Sequence, residues 1–255
     1  MKILKKLIFT PHRAVIKLGY IALSLVGHTD YTPFIILSRS RTGSNLLRYA
    51  LQSHPNIYSA GEIFMHLNGR DYRTVLNRIF SRHPRFIRAV GFKLFYYHPH
   101  DVEDPGIQQT LIEKSRLHVI HLKRRNILRS AISRKIATNN QIWVTRKTRD
   151  VLPAKAKRVS FTPEEIESEI DNTLQEIGQG DTRFGDKPML TVYYEDLVAD
   201  HEAIFREITS FLGLPYAKPR LTLKKQNPEP MSELVENFDE LKAHFKGHRL
   251  EHYFE

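Results

Sequence analysis

Phe34-Ile35-Ile36-Leu37-Ser38-Arg39-Ser40-Arg41-Thr42-Gly43-Ser44-Asn45-Leu46-Leu47-Arg48-Tyr49-Ala50-Leu51-Gln52 changes its periodicity part-way along. Phe34 to Leu37 is an unbroken apolar run, the pattern of a strand covered on both faces in a parallel sheet. From Gly43 the apolar residues Leu46, Leu47, Ala50 and Leu51 fall at helical spacing, and Pro55 stops the run. Strand, tight turn and helix in that order put Ser38 to Asn45 beyond the carboxyl end of a strand, where unpaired helix N–H groups meet an anion. Gly43 lets the backbone approach closely, Ser40, Thr42, Ser44 and Asn45 donate hydrogen bonds, and Arg39 or Arg41 brings charge. A phosphate site follows.

The same alternation continues outward. Strands are predicted at Ala89 to Phe95, Leu117 to Leu122 and Met189 to Tyr194, and helices at Asp71 to Phe80, Arg125 to Ala137 and about His201 to Leu212. Thr162-Pro163-Glu164-Glu165 has the form of an N-cap, a first-turn proline and a capping-box glutamate. Strands alternating with helices predict an α/β fold with a central, mostly parallel sheet flanked by helices. The basic stretch from Asn139 to Ser160 and the segment from Lys218 to Pro230 lack periodicity and are expected to be long surface loops, the first a potential lid.

A chain of 255 residues with 41% hydrophobic and 26% charged residues has the composition of a globular protein able to bury a sizeable core. It contains no cysteine, so a disulfide framework, a thiolate zinc site and a cysteine nucleophile are all excluded. The cysteine content fits a reducing, cytoplasmic setting. The formal net charge of +11 favours an anionic partner. Residues 1–30 form a basic and apolar N-terminal segment apart from a main domain at 31–255. The apolar run Ala14 to Val26 is interrupted by Lys17 and is shorter than the roughly 20 residues that cross a bilayer. Peripheral contact with the inner face of an anionic membrane is one reading of this segment, and packing on the domain is the other.

A nucleotide triphosphatase loop requires Gly-x-x-x-x-Gly-Lys-Ser/Thr, and the first glycine and the lysine are both missing here. Arg41-Thr42-Gly43-Ser44-Asn45-Leu46-Leu47 instead resembles the 5'-phosphosulfate loop of sulfotransferases that use 3'-phosphoadenosine 5'-phosphosulfate (PAPS). Asn45 stands where the family usually has a hydroxyl. Arg125-Asn126-Ile127-Leu128-Arg129-Ser130-Ala131-Ile132-Ser133 resembles the family's 3'-phosphate motif, with Arg125 and Ser133 at the matching positions and Ile127 where a proline is frequent. Tyr193-Tyr194-Glu195-Asp196-Leu197-Val198, the Phe211 to Leu214 ending, Lys224-Lys225-Gln226 and Asn237 to Leu241 resemble its bacterial trehalose-type and glycan-directed branches. The resemblance covers most of Phe34 to Leu241 and implies a P-loop-like three-layer fold, PAPS as co-substrate, no metal, and a hydroxyl acceptor on a glycan or glycolipid.

Sulfuryl transfer by analogy with phosphoryl transfer rests on positioning and on stabilising leaving-group charge, for which Arg41 is the best-placed cation. The acceptor hydroxyl needs a base. Glu62 is the first candidate, because trehalose-type enzymes place a glutamate in a similar Glu-x-Phe setting. His98 is the second, since other branches carry a histidine beyond the corresponding strand. His98-x-His100 with Asp101 lacks a third spaced metal ligand. Lys93 is a potential pocket residue, and Tyr96, Tyr97 and Trp143 are potential stacking partners for adenine or a sugar. Two other classes compete: a nucleotide kinase needing ATP and magnesium, and a non-enzymatic basic module for membranes or nucleic acid, which leaves the ordered strand-end motifs unexplained. Nucleic acid is therefore not an expected partner.

Overall fold

The computed structural model describes residues 22, 26–103, 105–142, 153–220 and 227–255. Its centre is a five-stranded sheet of β1 (Thr32–Ser38), β2 (Ile57–Ser59), β3 (Ala89–Phe95), β4 (His118–Lys123) and β5 (Met189–Tyr193), ordered β2-β3-β1-β4-β5. Each neighbouring pair is parallel. The α/β expectation holds, and so does double coverage: every β1 residue after Thr32 is buried. β2 escaped prediction because three residues are too few to carry a period.

Successive side chains of β1 leave opposite faces and meet different layers. Phe34 and Ile36 join Leu47 and Leu51 of α1 (Ser44–Gln52) and Phe205 and Ile208 of α7 (His201–Phe211). Ile35 and Leu37 join Tyr72 and Leu76 of α2 (Tyr72–Ile79), Ile107 and Leu111 of α3 (Ile107–Glu113), and Phe184. A further cluster packs α4 (Ile127–Asn140) and the start of α5 (Pro163–Arg183) against the C-terminal segment through Met231, Leu241, Phe245 and Phe254. That segment contains the short helices α8 (Met231–Leu234) and α9 (Phe238–His244).

Helix starts fall close to the predicted bounds. Asp71 caps α2, and Thr162 with Glu165 forms the capping box of α5. α4 begins at Ile127 rather than Arg125, because the Asn126 side chain accepts the Arg129 N–H and ends the extended approach there. β5 stops at Tyr193, and Tyr194 opens α6 (Tyr194–Ala199). Of the two predicted loops, residues 143–152 and 221–226 lie outside the described residues, and with them Trp143, Lys224, Lys225 and Gln226. Within the first, Ala154–Lys157 forms a 3-10 turn and Val159 bridges Val235. Among the described residues no helix is long and apolar enough to cross a membrane.

The connection after β1 leads toward the β2 edge and the connection after β4 toward the β5 edge. Their loops open side by side at the carboxyl ends, the switch point at which such sheets bind ligands. Gly91 faces Phe34 across the β1–β3 ladder. A Cβ there would lie 2.3 Å from the Phe34 carbonyl oxygen and 2.6 Å from its ring. Gly91→Ala is therefore expected to cost about 1–3 kcal/mol, seen as a lower urea midpoint with unchanged slope.

Burial also leaves a pH signature. Desolvation pushes His98 down to about 3 and His121 down to about 4, from an ordinary 6.5. As pH falls below 6.5 the unfolded chain takes up protons that the folded chain refuses, so this stability is full near neutrality and is lost toward pH 4. The slope per histidine approaches about 1.4 kcal/mol per pH unit. Thermal melts from pH 7 to 4.5 should fall more steeply for the wild type than for His98→Gln/His121→Gln; parallel curves would contradict this origin.

Candidate active site

The β1–α1 loop is held in a shape that exposes backbone to an anion. Arg41 and Gly43 both take positive φ, 68° and 88°. Gly43 is the N-cap of α1, which has no side-chain cap hydrogen bond and no acidic residue in its first turn. Its first N–H groups and positive dipole end therefore suit a bound anion. A Cβ on Gly43 would strike the Tyr194 ring at 2.3 Å, so glycine is required twice over, by conformation and by space. Thr42 Oγ1 donates to the Arg39 carbonyl at 2.7 Å, and the Ser40 N–H donates to Tyr97 Oη at 3.2 Å.

Four guanidinium groups converge on this loop. Arg41 Nε donates to Ser133 Oγ at 2.9 Å, which brings together two residues from the two sequence motifs. Arg124 Nη1 donates to the Arg41 carbonyl at 3.0 Å, and Arg134 donates to Ser40 Oγ at 3.1 Å and to its carbonyl at 3.3 Å. Arg39, within the loop, pairs with Glu176 at 2.8 Å and Glu169 at 3.3 Å on α5. Arg134 also pairs with Glu169. Burial, with Arg124 alongside, pushes Arg41 down to about 10, and burial also lowers Arg124 and Arg134. Arg39 Nε, Arg124 Nε and Ser38 Oγ are buried without a hydrogen-bond partner among the described residues. An anion bound here would relieve both the mutual repulsion and the missing partners, so the residues fit a phosphosulfate group.

Among the described residues the Arg125 guanidinium makes no hydrogen bond or ion pair with this loop. Its guanidinium forms a two-pronged pair with Asp196, at 2.6 and 2.8 Å, and lies 4.2 Å from the Tyr193 ring centroid. Its backbone N–H donates to Glu195 at 3.1 Å. Ser133 in turn receives a second hydrogen bond, from Asn227 Nδ2 at 3.1 Å.

On the β3 side, a buried lysine spans the gap between the loop and the first base candidate. Lys93 Nζ lies 2.7 Å from Glu62 Oε1, 2.8 Å from Asn45 Oδ1 and 3.4 Å from Ser44 Oγ. Desolvation lowers its pKa, and Glu62 opposes that shift. His98 Nδ1 accepts the Phe95 N–H at 3.3 Å, so its proton sits on Nε2, which points toward Glu62 Oε2 at 3.9 Å. Nearby rings extend the rim: His100 lies 5.4 Å from His98, 5.4 Å from His66 and 5.3 Å from Tyr97. Asp101 is committed elsewhere, accepting the N–H groups of Leu67 and Asn68 at 2.9 and 2.6 Å.

Several contacts were invisible in sequence. Tyr194 covers both Gly43 and Arg124, at 4.7 Å from the latter. Tyr96, singled out for stacking, instead donates to His121 Nε2 at 2.7 Å, and His121 Nδ1–H reaches Asp181 at 2.9 Å. This chain, closed by Lys123 on Asp181 at 2.8 Å, supports the wall of a small cavity shared with Arg39, Thr42, Arg124 and Arg134. The heptad-like spacing of Ser130, Ser133 and Arg134 on α4 was the available signal for Arg134.

The comparisons agree with this architecture. A family model described as the sulfotransferase family matches residues 33–218. Nodulation protein H of Rhizobium tropici is 29% identical over 241 residues, covering 88% of this chain and 93% of its own length. Nodulation protein H of Rhizobium meliloti (strain 1021) is 28% identical over 242 residues, covering 88% and 95%. A sulfotransferase from Alicyclobacillus acidocaldarius superposes with a TM-score of 0.53 at 19% identity, over 84% of this chain and 91% of that one, a likeness of fold. Neither a nucleotide kinase nor a purely non-enzymatic polyanion module describes such a chain. With the model matched over most of its length, the chain belongs to the sulfotransferase family and is a sulfotransferase that uses PAPS as co-substrate.

Proposed function

We propose that the chain transfers the sulfuryl group of PAPS to a hydroxyl of a glycan or glycolipid, with the donor on the β1–α1 loop and Glu62 as the base. The observation that carries this reading is the Lys93 bridge: one buried ammonium touches Glu62 at 2.7 Å and Asn45 at 2.8 Å. It sets the acceptor base at a fixed distance from the donor loop, which is the positioning that group transfer requires.

In this reading Gly43, Thr42, Ser44, Asn45 and Ser40 would hold the 5'-phosphosulfate with Arg39 setting the loop's field. Arg41 stabilises charge on the departing phosphate. Ser133 and Arg125 are assigned to the 3'-phosphate. For Arg125 this requires exchange of Asp196 for phosphate, a change open to an exposed, solvated pair. Glu62 accepts the acceptor proton as the hydroxyl oxygen bonds to sulfur and the sulfur–oxygen bond to phosphate breaks. The products are a sulfate ester and adenosine 3',5'-bisphosphate, and the proton leaves Glu62 to solvent.

Between the two base candidates the geometry favours Glu62. His98 Nδ1 is occupied by the Phe95 N–H, and its Nε2 carries the proton. His98 Nε2 lies beside the Glu62 carboxylate at 3.9 Å, beyond hydrogen-bond reach. A glycan acceptor is supported by the Glu62-Ile63-Phe64 setting and by the rim of Tyr97, His66 and His100, whose ring faces suit a pyranose. The main domain of the enzyme is 31–255 in this reading.

Labelled PAPS incubated with a panel of bacterial glycans and glycolipids tests the assignment. Label is expected on at least one acceptor, and Glu62→Gln should lower kcat by roughly a hundredfold or more while adenosine 3',5'-bisphosphate binds as before. A Glu62→Gln enzyme with full kcat would remove Glu62 from the chemistry.

A further inference from the structure

At the opposite end of the sheet, the turn that leads into β3 carries charge of one sign. Between Asp71 and Asp101 the chain has no carboxylate, yet it contains Arg73, Arg78, Arg82, Arg85, Arg88 and Lys93. Arg78, Arg82, Arg85 and Arg88 are exposed, and none pairs with a carboxylate among the described residues. Asp30, which enters the fold beside this loop, is taken by Arg116 at 2.8 Å. Arg88 immediately precedes β3, so the patch lies at the amino ends of the strands, away from the donor loop.

Phe86 stands among these arginines 49% exposed. It is held out by a stiff turn. Its carbonyl accepts Asn56 Nδ2 at 2.7 Å, the Ile87 carbonyl accepts the His28 ring at 2.8 Å, and Arg88 N–H donates to Asn56 at 2.8 Å. Tyr31 Oη donates to the Ser81 carbonyl at 2.9 Å, and His28 and His83 exchange backbone hydrogen bonds at 3.0 Å. A turn fixed on both sides cannot fold the ring back into the core.

The chain also enters the fold at this place. Val26 is 69% exposed two residues before His28. The sequence before it combines Lys2, Lys5, Lys6, Arg13 and Lys17 with the mostly aliphatic run Ala14 to Val26. Val26, from the start of the described fold, thus joins the arginines and Phe86 of the α2–β3 turn at this end of the sheet.

We infer that the turn Ser81–Arg88, together with Val26, is a docking surface for an anionic lipid bilayer. Arg78, Arg82, Arg85 and Arg88 sit over headgroup phosphates, and Phe86 enters the headgroup–acyl boundary. Charge alone would serve the phosphates of duplex DNA equally, but the exposed Phe86 ring and Val26 gain from an apolar phase, which the stacked base pairs of a duplex do not offer. Docking this way leaves the carboxyl edge of the sheet, with the donor loop and Glu62, facing the aqueous phase.

Sedimentation of the full chain with phosphatidylcholine vesicles, with and without phosphatidylglycerol, at low and high salt, tests the inference. Binding is expected only with phosphatidylglycerol, weakening with salt and by about fivefold for each arginine removed in Arg82→Gln/Arg85→Gln/Arg88→Gln. Phe86→Ser should weaken it further, with circular dichroism and adenosine 3',5'-bisphosphate binding unchanged. Equal vesicle binding by the wild type and the triple variant, or none by the wild type, would overturn it. So would a triple variant that loses duplex DNA binding while Phe86→Ser leaves vesicle binding intact, the mark of a nucleic-acid surface.

Discussion

Gathering Arg39, Arg41, Arg124 and Arg134 around one loop is the constraint on which the rest of the site depends. Burial lowers the pKa values of Arg41, Arg124 and Arg134, and for Arg41 and Arg134 neighbouring arginines of the cluster add to it. The fold meets that cost incompletely. Glu169 and Glu176 on α5 neutralise Arg39 and Arg134, Glu195 Oε1 lies 3.8 Å from Arg124 Nε under the face of Tyr194, and Arg41 donates to the Ser133 hydroxyl. Such a site has spare positive potential aimed at the start of α1, which is the condition for preorganised stabilisation of a leaving anion.

The same logic explains why the three strand ends must be adjacent. β1 brings the loop, β4 brings Arg124, and β3 brings Lys93, which lies opposite Ile36 in the ladder. In water a Lys–Glu pair contributes little, but Lys93 is 1% exposed, and removing either partner would strand a buried charge. The pair therefore fixes Glu62 more firmly than its own loop could. His98, neutral and anchored to the Phe95 N–H, closes the other side of the carboxylate.

Much of this was legible in the chain because local patterns carried it. The apolar run of β1, the Thr162 capping box and the Ser38 to Asn45 turn each announce themselves within a few residues. The sulfotransferase resemblance rested on such local motifs, and the match over 33–218 agrees with it. What stayed hidden depends on contacts across long separations. Nothing near Gly43 indicates that Tyr194 will lie on it, and nothing near Glu62 indicates that Lys93 will reach it from the next strand. Arg125 illustrates the converse: the motif position was readable, but its pairing with Asp196 is set by how α6 leaves β5. Tyr96 was a potential stacking partner for adenine or a sugar and is instead the donor of a part-buried hydrogen-bond chain packed against Gly180 of α5.

The central claim is that the β1–α1 loop and its arginines form the anion cradle for the donor nucleotide. Calorimetric titration with adenosine 3',5'-bisphosphate tests it most directly, comparing the wild type with Arg41→Ala and Ser133→Ala. Loss of a charge-assisted contact predicts affinity lower by about tenfold or more in Arg41→Ala, with a smaller loss in Ser133→Ala. Unchanged affinity in both folded variants would contradict the account.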